Sequence, residues 1–217
     1  MSGSLGSEKF QTYPGLSRNF AGAEAEIQYR PSAEFGAPTF AAFLHASRDA
    51  YESALRDGYR YSAGVSVRKS VTDRIDVFGA VAGNRREGGS TVFDTRDQSA
   101  RLNLDYALTR GGTVYLGGEY RRGDVVTTTP VSAATESIAR ASVRDDAYSG
   151  AQRTAYRVDA RSALATLGYN HAFDAGRALD ISWRFVRSTP ASSPAFTGGT
   201  TVRYEVHQLS VSYLMLF

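Results

Sequence analysis

None of the 217 residues is a cysteine. Disulfide scaffolds, thiolate zinc sites and cysteine nucleophiles are therefore excluded. Lysine is almost missing as well: Lys9 and Lys69 stand alone, and the other basic residues are arginines. The 25 basic and 22 acidic residues leave a net charge of +3 and are dispersed along the chain. With no basic stripe on any segment, nucleic acid is not an expected partner. Long apolar runs are lacking too. A membrane-crossing helix needs about 20 consecutive, mostly apolar residues, whereas the runs here are short, as in Phe40–Leu44, and mean hydropathy is −0.32. The opening Met1-Ser2-Gly3-Ser4-Leu5-Gly6 has neither the basic nor the apolar region of a signal peptide. Proline is scarce at 6, while glycine at 21 and tyrosine at 13 are generous, a β-rich bias in a chain long enough for one domain.

What fills the chain is period-2 alternation, the mark of half-buried strands. Ala21, Ala23, Ala25, Ile27 and Tyr29 oppose Gly22, Glu24, Glu26, Gln28 and Arg30. Phe40, Ala42, Leu44 and Ala46 share a face. Tyr59, Tyr61, Ala63, Val65 and Val67 oppose Arg60, Ser62, Gly64, Ser66 and Arg68; Ile75, Val77, Gly79 and Val81 oppose Arg74, Asp76, Phe78 and Ala80. The scheme continues with Ala100–Leu108 against Arg101, Asn103 and Asp105, and with Val114–Tyr120 against Glu119 and Arg121. It closes with Thr154–Phe173, with Leu179–Phe185 against Asp180 and Arg184, and with Leu209–Phe217. Nine strands result, most of roughly 10–12 residues, the length that a tilted bilayer-crossing strand requires. Two runs change phase: Tyr156, Val158 and Ala160 against Ala163–Tyr169, and Val202–Val206 against Leu209 onward. A β-bulge or a strand continuing past the membrane edge accounts for either.

Connections alternate in length. Those near Pro31–Ala37, Ser70–Asp73, Arg110–Gly112 and Asp174–Arg177 are short; those near Ser47–Asp57, Asn84–Gln98, Arg122–Arg153 and Arg187–Thr201 are long. Transmembrane barrels sort their loops in this way, with short periplasmic turns and long extracellular loops. On these features, and on a last strand alternating through Leu209, Val211, Tyr213 and Met215 to Phe217, residues 19–217 resemble small bacterial outer-membrane β-barrel proteins. No motif of a particular subfamily stands out. The resemblance implies an all-β, antiparallel up-and-down transmembrane barrel integral to the bacterial outer membrane. It also implies membrane lipid and lipopolysaccharide as surroundings, and a C-terminal strand read by the barrel-assembly machinery. Tyr29, Phe40, Tyr106, Phe173 and Phe217 would form one aromatic girdle, and Phe20, Tyr59, Tyr120, Tyr156 and Phe185 the other; Trp183 lies between them. Even strand counts put both termini on one side. Residues 1–18 then supply a tenth strand, one of the nine does not span, or an N-terminal portion of a larger protein is missing. Ten strands is the expected count, with eight as the alternative. A soluble lipocalin-like barrel is the structural rival, since alternation does not distinguish inside from outside.

With the apolar face toward lipid, the lumen receives Glu24, Glu26, Arg30, Arg60, Arg68, Arg74, Asp76, Arg101, Asp105, Glu119, Arg121, Asp180 and Arg184. Both signs interleave, so ion pairs across a narrow lumen are expected rather than a constriction of one sign. A narrow channel, or a scaffold presenting its loops, is the expected function, without enzymatic activity, cofactor or metal. The 122–153 connection is long enough to contact an envelope or surface partner. A hydrolase acting on lipid or peptide at the rim is the enzymatic alternative: His207, Glu205 and a loop serine would form its centre, with His45 a second candidate and His171 the least favoured. Asp145 and Asp146 form an acidic pair in the long loop. Gly88-Gly89 and Gly111-Gly112 are turn residues, because neither pair joins a strand to a helix.

Overall fold

In the computed structural model, the described residues are 1–108, 111–148, 150–192 and 203–215. They form one antiparallel sheet of eleven strands. The strands are β1 (Ser2–Glu8), β2 (Arg18–Tyr29), β3 (Thr39–Tyr51), β4 (Gly58–Ser70), β5 (Ile75–Gly88) and β6 (Thr95–Ala107). They continue with β7 (Gly112–Thr129), β8 (Ala139–Arg144), β9 (Thr154–Asp174), β10 (Arg177–Pro190) and β11 (Tyr204–Met215). One turn of helix, α1 (Ala133–Glu136), is started by Ser132, whose side chain accepts from the Thr135 amide. Each strand pairs with its sequence neighbour, except that β9 follows β7 and β8 lies off the path against β9. Ten strands thus make the main path. The additional N-terminal strand is Ser2–Glu8, and the remainder of the 1–18 segment is a connection carrying a 3₁₀ turn at Pro14–Leu16.

The register is staggered. A row of paired residues begins at Ser2, at the short-turn end of β1, and passes through Glu24, His45, Ser62, Asn84, Asp97, Gly123 and Ala160. It ends at Pro190, at the long-loop end of β10. Strands that climb in this way are tilted relative to the sheet's own axis, the stagger that a curling sheet needs. The sheet does curl. Arg86 of β5 and Tyr204 of β11 border one cavity, although five strand spacings, roughly 24 Å if flat, separate them along the path. The sheet does not close, which corrects the expected barrel: β1 and β11 are not paired with one another among the described residues. β1 has seven residues, Ser-Gly-Ser-Leu-Gly-Ser-Glu, and its small side chains offer few cross-strand contacts to draw an opposite edge onto it.

The register also resolves the two phase changes. β7 and β9 pair without interruption from Gly112↔His171 to Thr129↔Thr154, and β10 and β11 from Arg177↔Met215 to Ser188↔Tyr204. No bulge interrupts either run; the one irregularity of β9 against β10 falls at Arg177/Ala178. Tyr156, Val158 and Ala160 share a face with Ser162 and Thr166 and are buried. That face becomes apolar because the long loops cover it there. Val92, Phe93 and Ala155 form the buried cluster, with Leu55, Val126, Ala141 and Val143 packed against it. The hydrophobic core therefore sits at the long-loop end and not in the middle of the sheet. The expected 122–153 loop is largely structured: β7 runs on to Thr129, β8 adds to β9, and Thr135, Asp145 and Ala147 are buried.

Candidate functional site

Register sorts the strands into two faces. On one, Ile27, Leu44, Val65, Val81, Leu102, Leu116, Leu167, Ile181, Trp183, Leu209 and Val211 are exposed. Burying such side chains is worth about 1.5–3 kcal/mol each, so a contiguous face of them on a surface requires an apolar neighbour. The other face is polar and concave. Three cavities run along it. The outer one shares Val125 and Ala160 with the middle one, which shares Leu164 and Arg184 with the inner one. A polar path thus follows β6–β11 from the loop end toward the short turns.

Aromatic rings fill the space above glycines of adjacent strands on this face: Phe20 at Gly6, Phe43 at Gly64 and Tyr115 at Gly168. A Cβ at any of the three glycines would run into the ring. Lying over Gly168 lets Tyr115 reach across β9 and donate to Asp180 of β10 at 3.0 Å.

The thirteen charged residues expected in the lumen all fall on the polar face or its continuation at strand ends, but few of them pair. Arg60 binds Asp49, and Glu119 binds both Arg101, at 3.1 Å, and Arg121. These pairs join neighbouring strands or residues of one strand rather than reaching across the concave face. Asp180 takes the Tyr115 hydroxyl, Asp76 accepts from Ser70 at 2.5 Å, and Glu26 accepts from Gln28. Arg68 lies 5.7 Å over the Phe78 ring, and Arg30 donates to the Glu34 carbonyl at 3.1 Å. Arg74 belongs to the β4–β5 turn, where its amide donates to Thr72. Glu24 stands opposite His45, and Asp105 opposite Asp76 and Tyr115. Arg184 lines the inner and middle cavities with no carboxylate partner among the described residues.

A second cluster, at the loop end, joins Arg60, Asp145 and Asp146 to residues the sequence did not single out. Buried Asp49 receives Arg18 at 2.9 Å and Arg60 at 2.5 Å; Arg18 also holds Glu8 at 2.9 Å. Buried Asp145 takes Arg56 at 2.5 Å and Thr128 at 2.8 Å, and Ser53 donates to Asp146. Arg86 stacks on Tyr51 and Phe93 and donates to the Arg56 carbonyl at 2.8 Å. The Tyr13 and Tyr148 rings meet 4.9 Å apart, which ties the β1–β2 connection to the β8–β9 connection. The acidic pair Asp145-Asp146 is thus an internal tie of the cap. Its signal in sequence is the polar alternation of β3 continuing through Asp49, inside what reads as a loop.

Two of the histidines meet aromatic neighbours. Glu205 is held by Arg187 and Arg203, and His207 stacks against Trp183 and Phe185 on the apolar face. His171 meets the Tyr169 hydroxyl at 3.2 Å. Among the described residues no serine hydrogen-bonds a histidine; the loop serines Ser149 and Ser193 lie outside them. On β11, Leu209, Val211 and Tyr213 alternate on the apolar face and Met215 is exposed; Phe217 lies outside the described residues. Compared with known proteins, the chain matches no family model and no curated protein.

Proposed function

We propose that the chain is an integral outer-membrane β-barrel whose lumen is a narrow polar passage. The observation that carries this is the division of faces: a staggered antiparallel sheet exposes its apolar face across β2–β11, charged only toward the strand ends, and carries its mid-strand charges on the concave side. Lipid is the neighbour that such a face suits, and open sheet edges are not tolerated in hydrocarbon. In the membrane, β1 and β11 therefore pair. Alternation along a ten-strand path makes these two edges antiparallel, which is the orientation closure needs. The short turns then lie on the periplasmic side and the loop cap outside. The three connected cavities supply the passage, narrow because ten strands enclose little more than their own side chains. The alternation of β11 suits it to recognition by the barrel-assembly machinery.

The cap favours a second reading, a scaffold whose loops face outward, since four of the long connections pack together over the mouth. Conductance separates the two. Refolded protein should insert into a planar bilayer and show heat-modifiable gel mobility. Discrete current steps, altered in ion selectivity by Arg184→Glu, support the channel. Insertion without current supports the scaffold. A soluble β-sheet protein that fails to insert contradicts both.

A further inference from the structure

On the apolar face, just toward the loops from Tyr120, the side chains turn abruptly to arginine. Register sets Arg85 directly opposite Arg96 across β5 and β6, and Arg122 directly opposite Arg161 across β7 and β9. Like charges in direct cross-strand contact are destabilising, and a strand pair has no structural reason to hold two such pairs side by side. All four side chains are exposed. Nearby carboxylates neutralise only one of them. Asp124 and Asp159 are both taken by Arg140, at 3.1 and 3.0 Å, and Glu87 pairs with Arg85 at 2.6 Å. Arg96, Arg122 and Arg161 have no carboxylate partner among the described residues.

Immediately below them is a groove. Its floor is Leu44, Tyr61, Ala63 and Gly83; Arg85, Arg96, Arg122 and Arg140 line it from above, together with Gln98 and two carboxylates, Asp97 and the Arg140-bound Asp159. No atom fills the space over Gly83 within 4 Å of where a Cβ would stand. The combination is amphiphilic: an open apolar trough capped by guanidinium groups whose planar forks match phosphate oxygens. From this we infer a binding site for a phosphate-bearing lipid. Its phosphate is held by Arg96 and Arg122 at the groove and by Arg161 directly across from Arg122, and an acyl chain lies in the groove over Gly83. The phosphate sits between the opposed arginines and converts their repulsion into attraction. The site rests on the membrane reading and adds to it a lipid class and a place.

The test uses the full chain in vesicles of phosphatidylcholine, with phosphatidylglycerol as the phosphate-bearing anionic probe. Bound lipid is counted by native mass spectrometry after gentle extraction. The native chain should retain phosphatidylglycerol in preference to phosphatidylcholine. The double variant Arg122→Gln/Arg161→Gln should lose that preference by about tenfold or more, given roughly a kilocalorie per basic residue near an anionic lipid. Its stability should move in opposite directions in the two surroundings: unchanged or higher in neutral detergent, where repulsion is relieved, and lower in phosphatidylglycerol vesicles. If the double variant does not fold, Arg161→Gln alone serves and should show the same reversal at smaller size. Equal retention of both lipids by the native chain overturns the site, as does a variant that keeps the preference. So does a preference abolished by inorganic phosphate alone, which would reveal a simple anion site without a lipid chain. A chain that inserts but shows no lipid preference refutes only this site; a chain that does not insert refutes the membrane reading with it.

Discussion

At the residue scale, the cap depends on a few fully used polar groups. Asp49 is 2% exposed and anchors two arginines from the neighbouring strands. Removing one partner of a buried ion pair leaves charge without compensation, at a cost of about 3 kcal/mol. Asp49→Ala should lower the stability of the refolded protein by about that amount in urea titration, with Arg18 and Arg60 left facing each other. A loss within experimental error would show that Arg18 is satisfied by Glu8 alone. The sequence could not single out Asp49. Alternation gives a polar side chain its face but not its neighbours, which depend on the register of β2, β3 and β4. For the same reason the thirteen charges expected in a lumen were legible by face, whereas their partners were not. Arg101 and Glu119 meet because β6 and β7 pair residue for residue at that point, a fact no spacing in the chain contains.

At the element scale, the strands were legible and their ends were not. Period-2 alternation located nine of the strands but not their outer ends: β5 runs on past Val81 to Gly88 and β7 past Tyr120 to Thr129. It failed for β1, whose serines and glycines carry no hydrophobic contrast, and for β8, hidden within a connection. The phase changes in β9 and β11 read as irregularities, yet both strands are continuous. The outer end of β9 enters the loop-covered core on the polar face; on β11 Tyr204 remains exposed, and Val202 lies outside the described residues. Gly123 marks where β7 parts from β6: its φ is +142°, and a Cβ there would strike Asp97 and the Arg96 carbonyl. Beyond it β7 pairs with β9 alone. Gly123→Ala should cost about 1–3 kcal/mol in backbone strain and loosen the segment that β7 carries outward. Trypsin should then cut faster at Arg140, Arg144 or Arg153 in the variant, while the strands below remain protected. Equal cleavage rates would mean that the bend at Gly123 is not needed to hold the cap.

At the scale of the whole molecule, the account turns on its two edges. β11 exposes twelve residues of alternating pattern, and an open edge of that length invites pairing with whatever strand is available. β1 is the matching edge of the same chain, antiparallel to it and bearing its one large apolar residue, Leu5, on the face that continues the apolar side. Pairing the two abolishes both edges. Absence of native cysteine makes the direct measurement clean: Leu5→Cys is combined in turn with Leu209→Cys, Val211→Cys and Tyr213→Cys in vesicle-inserted protein, under mild oxidation. Disulfides need Cα atoms about 4.4–6.8 Å apart, so only a strand lying against β11 in register can form one. The account predicts an intramolecular disulfide in at least one of the three pairs, with the barrel still inserted. Inserted protein with no cross-link in any pair, or cross-links only between two copies of the chain, would contradict it.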